Sequence, residues 1–142
     1  MSSVRLLLFR CGGQVLALEA GLVREILAAS QPTRIPGAPE AVLGLVNVRG
    51  ALVPVVDTAR AALLGEKSDG VAGSLVLVER HGRPVALVVE EVLDLVTVGE
   101  DELDPRESLP GVRPDLVQAV GTAGGRPFVQ LASDALLEPL LP

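Results

Sequence analysis

The sequence predicts an all-β domain built as two joined barrels, and three observations carry that prediction. Short apolar, β-branched runs recur along the chain; Gly, Pro, Asp or Asn separates them; and several are continuously apolar rather than alternating. A strand that is apolar on both sides needs cover on both of its faces. Long amphipathic helices that could supply it are scarce, so sheet packed on sheet must do so.

In chain order the predicted strands are Leu6–Phe9, Val15–Leu18, Leu43–Val46, Leu52–Val56, Leu75–Val78, Val85–Val89 and Leu116–Val120. Asn47-Val48-Arg49-Gly50 joins the third to the fourth. Asn tolerates φ > 0 and Gly enters it freely, so a tight connection here presents the five-donor fork of Arg49 beside a sheet. Pro54 has no N–H for a ladder, which places its strand at an edge or on a bulge. Asp57 or Thr58 caps a short helix through Leu64 that Gly65 ends. Glu66–Gly73 is the clearest loop and the expected join between two halves. His81 falls in a hairpin turn, Glu79–Arg83. Residues 99–114 are polar, acidic and rich in Pro and Gly, and read as a long surface loop with one turn of helix. A second short helix starts at Ser133-Asp134 and is limited by Pro139. Gly13–Leu18 echoes Gly82–Leu87, and Gly125–Leu131 is a looser version; duplication of a half, or convergence of hairpins, produces such an echo.

A length of 142 residues fits one domain spanning 1–142. With 49% apolar and 21% charged residues, the chain is not intrinsically disordered. Phe9 and Phe128 are its only aromatics, so stacking platforms for single-stranded nucleic acid are missing. A net charge of −6 disfavours both nucleic-acid phosphates and an anionic membrane surface as partners. Cys11 is the single cysteine, which excludes an intrachain disulfide or a thiolate zinc cluster and leaves a packed structural thiol as the expectation. The N-terminal LLLF run is too short for a signal-peptide core, and no run approaches the ~20 residues of a membrane-spanning helix. A cytoplasmic protein is expected, and Met1 with the compact length favours a complete one.

Nothing in the chain assembles a catalytic set. The only histidine, His81, belongs to a turn, and no zinc ligand set is available. Carboxylates at Glu90-Glu91, Asp94, Glu100-Asp101-Glu102 and Asp104 lack EF-hand spacing, and no phosphate-binding glycine loop is present. No enzyme activity, metal or cofactor is expected. Glu25, between Leu22-Val23-Arg24 and Ile26-Leu27, is expected to point away from the face those apolar residues bury.

Gly44-Leu45-Val46-Asn47-Val48-Arg49-Gly50 followed by Pro54-Val55-Val56-Asp57 resembles the G-x-x-N-x-R-G turn and P-V-x-D strand of the CheW family, the adaptor domain of bacterial chemosensory arrays. Val23-Arg24-Glu25-Ile26, Ile35-Pro36-Gly37-Ala38-Pro39 and Val85–Val89 running into Glu90-Glu91-Val92 extend the resemblance from Val4 to Leu141. It implies two small five-stranded, SH3-like barrels around a shared core. It also implies a non-catalytic scaffold, monomeric when isolated, that joins a CheA-type histidine kinase to the cytoplasmic tips of methyl-accepting chemoreceptors. Residues matching Val23, Glu25, Gly44, Asn47, Arg49 and Gly50 are implied to shape or support the receptor groove, with Glu25 facing Arg49. Kinase contact is implied at an apolar barrel end, without assigned residues. A docking module of another signalling complex is the alternative.

Overall fold

Two-sided burial sets the architecture. Along β1 (Ser3–Cys11), Leu6 and Leu8 enter one core while Leu7, Phe9 and Cys11 enter another. Successive side chains of a strand point to opposite faces, so a continuous apolar run can feed two cores at once. The pattern repeats in β6 (Ser74–Arg80), where Leu75 and Leu77 part from Val76 and Val78, and in β7 (Arg83–Val89), where Ala86 and Val88 part from Val85, Leu87 and Val89. β2 (Gln14–Glu19) does the same with Ala17 against Leu16 and Leu18.

The structure, a computed structural model, describes residues 2–65, 73–105 and 107–141. Its remaining strands are β3 (Val23–Ala28), β4 (Val42–Val48), β5 (Ala51–Asp57), β8 (Glu91–Gly99), β9 (Val117–Ala123) and β10 (Arg126–Leu131). Two short helices, α1 (Thr58–Ala62) and α2 (Ser133–Leu137), follow β5 and β10. Barrel one is the five-stranded sheet β8-β1-β2-β10-β9, and barrel two is β3-β6-β7-β5-β4. Each has its own interior, and the faces turned towards each other form the third and largest core. The all-β architecture of two SH3-like barrels is therefore present, with no described helix long and apolar enough to cross a membrane.

The two barrels have one topology. Substituting β8, β9, β10, β1 and β2 for β3, β4, β5, β6 and β7 reproduces the strand order, including the parallel pair in each sheet. Register agrees residue for residue: Gly44 opposite Val55 corresponds to Ala119 opposite Gln130, with the same bulge one step further on. Asp57 N–H donates to the Ala41 carbonyl (2.7 Å) as Ala132 N–H does to Leu116 (2.8 Å). The echo between Gly13–Leu18 and Gly82–Leu87 marks equivalent strands, whereas Gly125–Leu131 is equivalent to Gly50–Val56 instead. A clearer repeat, Ile35-Pro36-Gly37-Ala38-Pro39 against Leu109-Pro110-Gly111-Val112-Arg113-Pro114, bonds alike in both halves: Ala38 N–H to Ile35 (3.3 Å) and Val112 N–H to Leu109 (3.4 Å). Where barrel two sets Val46 against Val53, barrel one sets Gly121 against Phe128; a Cβ on Gly121 would meet the phenyl ring.

The chain crosses between barrels through the turn Ala20–Leu22 and again at Glu90. Of the expected join at 66–73, residues 66–72 lie outside the described residues; α1 before it and β6 after it both accompany barrel two.

Each sheet is open between its edge strands save for one bridge. Thr33 and Leu45 exchange two 2.8 Å bonds in barrel two, and Asp104 and Val120 exchange bonds of 2.8 and 2.9 Å in barrel one. Of the two placements expected for Pro54 the edge is overturned, since β5 is interior, and the irregularity nearby is a bulge on the facing strand, between Val42 and Gly44 opposite Val56 and Val55. Leu45, opposite Pro54, gives both backbone groups to Thr33, and the β5–β7 ladder starts only at Val55, so no partner is deprived of a donor. Gly44 permits the closure: at φ 147° it lies so near Thr33 that a Cβ would overlap the Thr33 carbonyl. Helix α1 starts as expected, with buried Asp57 accepting from the Arg60 N–H (3.3 Å), and α2 also lies as expected.

Gly44→Ala should destabilise the fold by on the order of 3 kcal/mol, measured by urea unfolding, because both backbone strain and a steric clash oppose it. Cys11 supplies a second test. Burial pushes its thiol up from 9.0 to about 12; a hydrogen bond from the Glu90 backbone opposes the shift, and the Glu90 and Asp57 charges add to it. The folded thiol keeps its proton where the unfolded one loses it, so its contribution is intact below pH ~9 and falls as pH rises towards 12, by up to about 1.4 kcal/mol per pH unit. The stability gap between the wild type and Cys11→Ala should narrow above pH ~9, and a constant gap would refute the assignment.

Candidate functional site

Four hairpins connect their strands through two residues: Gly12-Gly13, Arg49-Gly50, His81-Gly82 and Gly124-Gly125. All eight of these residues have positive φ, the pattern of the turn whose twist suits paired strands. Glycine enters that region without penalty, and other residues pay to do so. Barrel one uses Gly-Gly twice. Barrel two instead holds Arg49 at φ 50° and His81 at φ 51°, the non-glycine residues of positive φ among those described. The position equivalent to Arg49 is Gly124.

From this turn Arg49 reaches across the open seam to Glu25 on β3. Its Nη1 donates to Oε2 at 3.0 Å and its Nη2 makes a still shorter bond to Oε1. Two parallel charge-assisted bonds fix the plane of the guanidinium, which a lysine could not do. The turn beneath it is braced by Asn47, whose Oδ1 accepts the Gly50 N–H at 2.9 Å. Hydrogen bonding from Arg49 holds the Glu25 carboxyl below its usual range, with partial desolvation opposing and the Arg49 charge assisting. The same bonds hold the Arg49 pKa above its usual value. The pair remains open to solvent, with side-chain exposures of 69% for Arg49 and 33% for Glu25.

The expected site residues fall into three places. Glu25, Asn47, Arg49 and Gly50 come together at the hairpin end of barrel two. Gly44 lies further along β4 and acts on closure through Thr33. Val23 packs on the shared core at the start of β3. Glu25 does not point away from every apolar neighbour, as alternation implied. A bulge between Val23 and Glu25 shifts the register of β3, so Ile26 is left 45% exposed while Glu25 is half-buried. Two residues escaped the sequence reading: Thr33, which carries no motif, and Leu52, 67% exposed although it opens an apolar run. Leu52 lies where the hairpin overhangs the β5–β7 ladder, which no local pattern reveals. Cys11 is buried, and no group of three or more His, Cys, Asp or Glu placed to hold a metal occurs among the described residues.

The CheW-like domain model matches residues 5–140, nearly the whole chain. This chain belongs to the CheW-like domain family. It is 36% identical over 102 residues to the chemotaxis protein CheW of Rhizobium meliloti strain 1021, a match covering 70% of this chain and 64% of that protein. It is 30% identical over 112 residues to the chemotaxis protein CheW of Bacillus subtilis strain 168, covering 78% and 70%. The crystal structure of the scaffolding protein TtCheW from Thermoanaerobacter tengcongensis superposes with a TM-score of 0.81, covering 92% of this CheW-like chain and 89% of that one. At 20% identity that likeness speaks for the fold.

In this CheW-like domain the Glu25–Arg49 pair contributes above the ordinary glutamate pKa and is lost as pH falls through the depressed folded value. An NMR titration of the Glu25 carboxyl should therefore give a midpoint that rises when Arg49 becomes Ala. An unmoved midpoint would show that the two side chains do not pair in solution.

Proposed function

We propose that this chain is a non-catalytic chemosensory adaptor that couples chemoreceptor tips to a CheA-type histidine kinase in the cytoplasm. One observation carries the reading. An arginine is kept at a positive-φ turn position where the equivalent turn of the same molecule uses glycine, and its fork is locked on Glu25. His81 shares the positive φ at a position where barrel one has glycine, so the distinguishing feature of Arg49 is the fork fixed on Glu25. A solvent-exposed ion pair adds little to stability, and that fixed orientation is better explained by recognition than by folding. Membership of the CheW-like family and relatives named as chemotaxis proteins support the same reading.

Receptor docking is assigned to the hairpin end of barrel two. There the rigid Glu25–Arg49 fork offers planar hydrogen bonding, and half-buried Val23 lies on the same strand as Glu25. Kinase docking is assigned to a separate, apolar barrel end. Specific interfaces bury about 800 Å² per partner, and a surface of 7670 Å² has room for two of them. The isolated protein is a monomer, recruited to receptor arrays by these contacts.

Arg49→Glu should weaken binding of a receptor-tip fragment by at least about tenfold at matched salt while leaving kinase affinity unchanged. The exchange Glu25→Arg with Arg49→Glu should recover part of the loss if their mutual geometry shapes the surface. Folded Arg49→Glu that retains full receptor affinity would remove this end of barrel two from the proposal.

A further inference from the structure

The shared topology exposes a second difference between the barrels, at the ends opposite their hairpin turns. In barrel two this end is apolar: Val55 and Val88 are buried and Leu43 packs against them. The equivalent positions of barrel one are Gln130, Glu19 and Gln118. They stand on three neighbouring strands, β10, β2 and β9, with Gln130 beside Ala17 on one side and Ala119 on the other. All three line two adjoining hollows whose other walls include Leu22, Leu103, Glu100 and Asp134. No described cationic side chain lines either hollow.

Gln130 is the informative residue. It is only 4% exposed, lines both hollows and makes no hydrogen bond to the described residues. Its polar atoms are not among the fully buried ones without a hydrogen-bond partner, which among the described residues are Asp57 Oδ2, Thr58 Oγ1 and Arg60 Nε. The amide therefore stays available to the hollows, where valine at the equivalent position offers no hydrogen bond. Glu19 is likewise without an ion pair among the described residues, although a carboxylate so placed can accept several bonds.

We propose that this open end of barrel one is a binding site for an arginine side chain presented by a protein partner. A carboxylate and two amide oxygens on adjacent strands offer acceptors to a planar, five-donor cation. Glu100 and Asp134 add negative potential, and Leu22 and Leu103 offer apolar surface to the methylene stem. The site is distinct from the Glu25–Arg49 pair, and its partner contact does not depend on the receptor assignment.

The probe is a capped Gly-Arg-Gly tripeptide, titrated into the full chain while the side-chain amide resonances of Gln118 and Gln130 are followed by NMR. Saturable shifts of both amides are expected, with citrulline and lysine versions giving markedly weaker responses. Glu19→Gln should weaken binding by about tenfold, and Gln130→Val should abolish it, whereas Arg49→Glu should leave it unchanged. Should Gln130→Val fail to fold, Glu19→Gln and Gln118→Ala, both at exposed positions, carry the test. Equal responses to the arginine and citrulline peptides would overturn the charge requirement. A lysine peptide as effective as arginine would overturn the guanidinium assignment, and unchanged affinity in Glu19→Gln would overturn the site.

Discussion

The fold depends on strands that feed two cores at once. Along their buried stretches β1, β2, β5, β6, β7 and β10 place some side chains in a barrel interior and others in the core between the barrels. A strand so placed cannot carry exposed function without leaving a polar group unsatisfied in one of two cores. Recognition is thereby confined to edges, turns and barrel ends, where the Glu25–Arg49 pair and the Glu19, Gln118 and Gln130 group lie. The same constraint explains the Leu-, Val- and Ala-rich composition. A pleated sheet packed on both sides has room for small branched residues, and the two phenylalanines are admitted singly, Phe128 only because Gly121 stands opposite.

The repeated topology turns the molecule into its own control. Two barrels of one topology face similar packing demands, so a polar residue in one where the other has glycine or an aliphatic is not required by the fold. Arg49 against Gly124 and Gln130 against Val55 are such cases. Asp57 against Ala132 is another, but its role is local. The aspartate caps α1 through Arg60, which also reaches Glu40 at 2.8 Å, and α2 begins at Ala132 with no side-chain cap. The comparison separates residues that hold the scaffold from residues placed upon it.

Magnitudes favour the same division. Closure at Thr33 and Leu45, and its counterpart at Asp104 and Val120, depends on backbone groups that must be paired once water is excluded. By contrast the charged pairs lie at the surface, where screening leaves each worth little to stability. Their value is geometric, because a bidentate pair fixes an orientation that a partner can read.

From the sequence alone came the all-β class, the two-barrel architecture, most of the strands, both helices, the turn at Asn47–Gly50 and the resemblance that pairs Glu25 with Arg49. These are legible because apolar runs, turn residues and caps act over a few positions. Strands β3 and β8 were not legible as strands. Both lie at sheet edges, mix charges with apolar residues and carry a bulge, so neither continuous burial nor clean alternation marks them. The interior placement of β5 despite Pro54, the closing role of Thr33, the outward turn of Ile26 and Leu52 and the hollow around Gln130 were settled only by the tertiary structure. Each depends on which strand lies alongside and where its ladder begins, and that register is set by pairings between residues far apart in the chain.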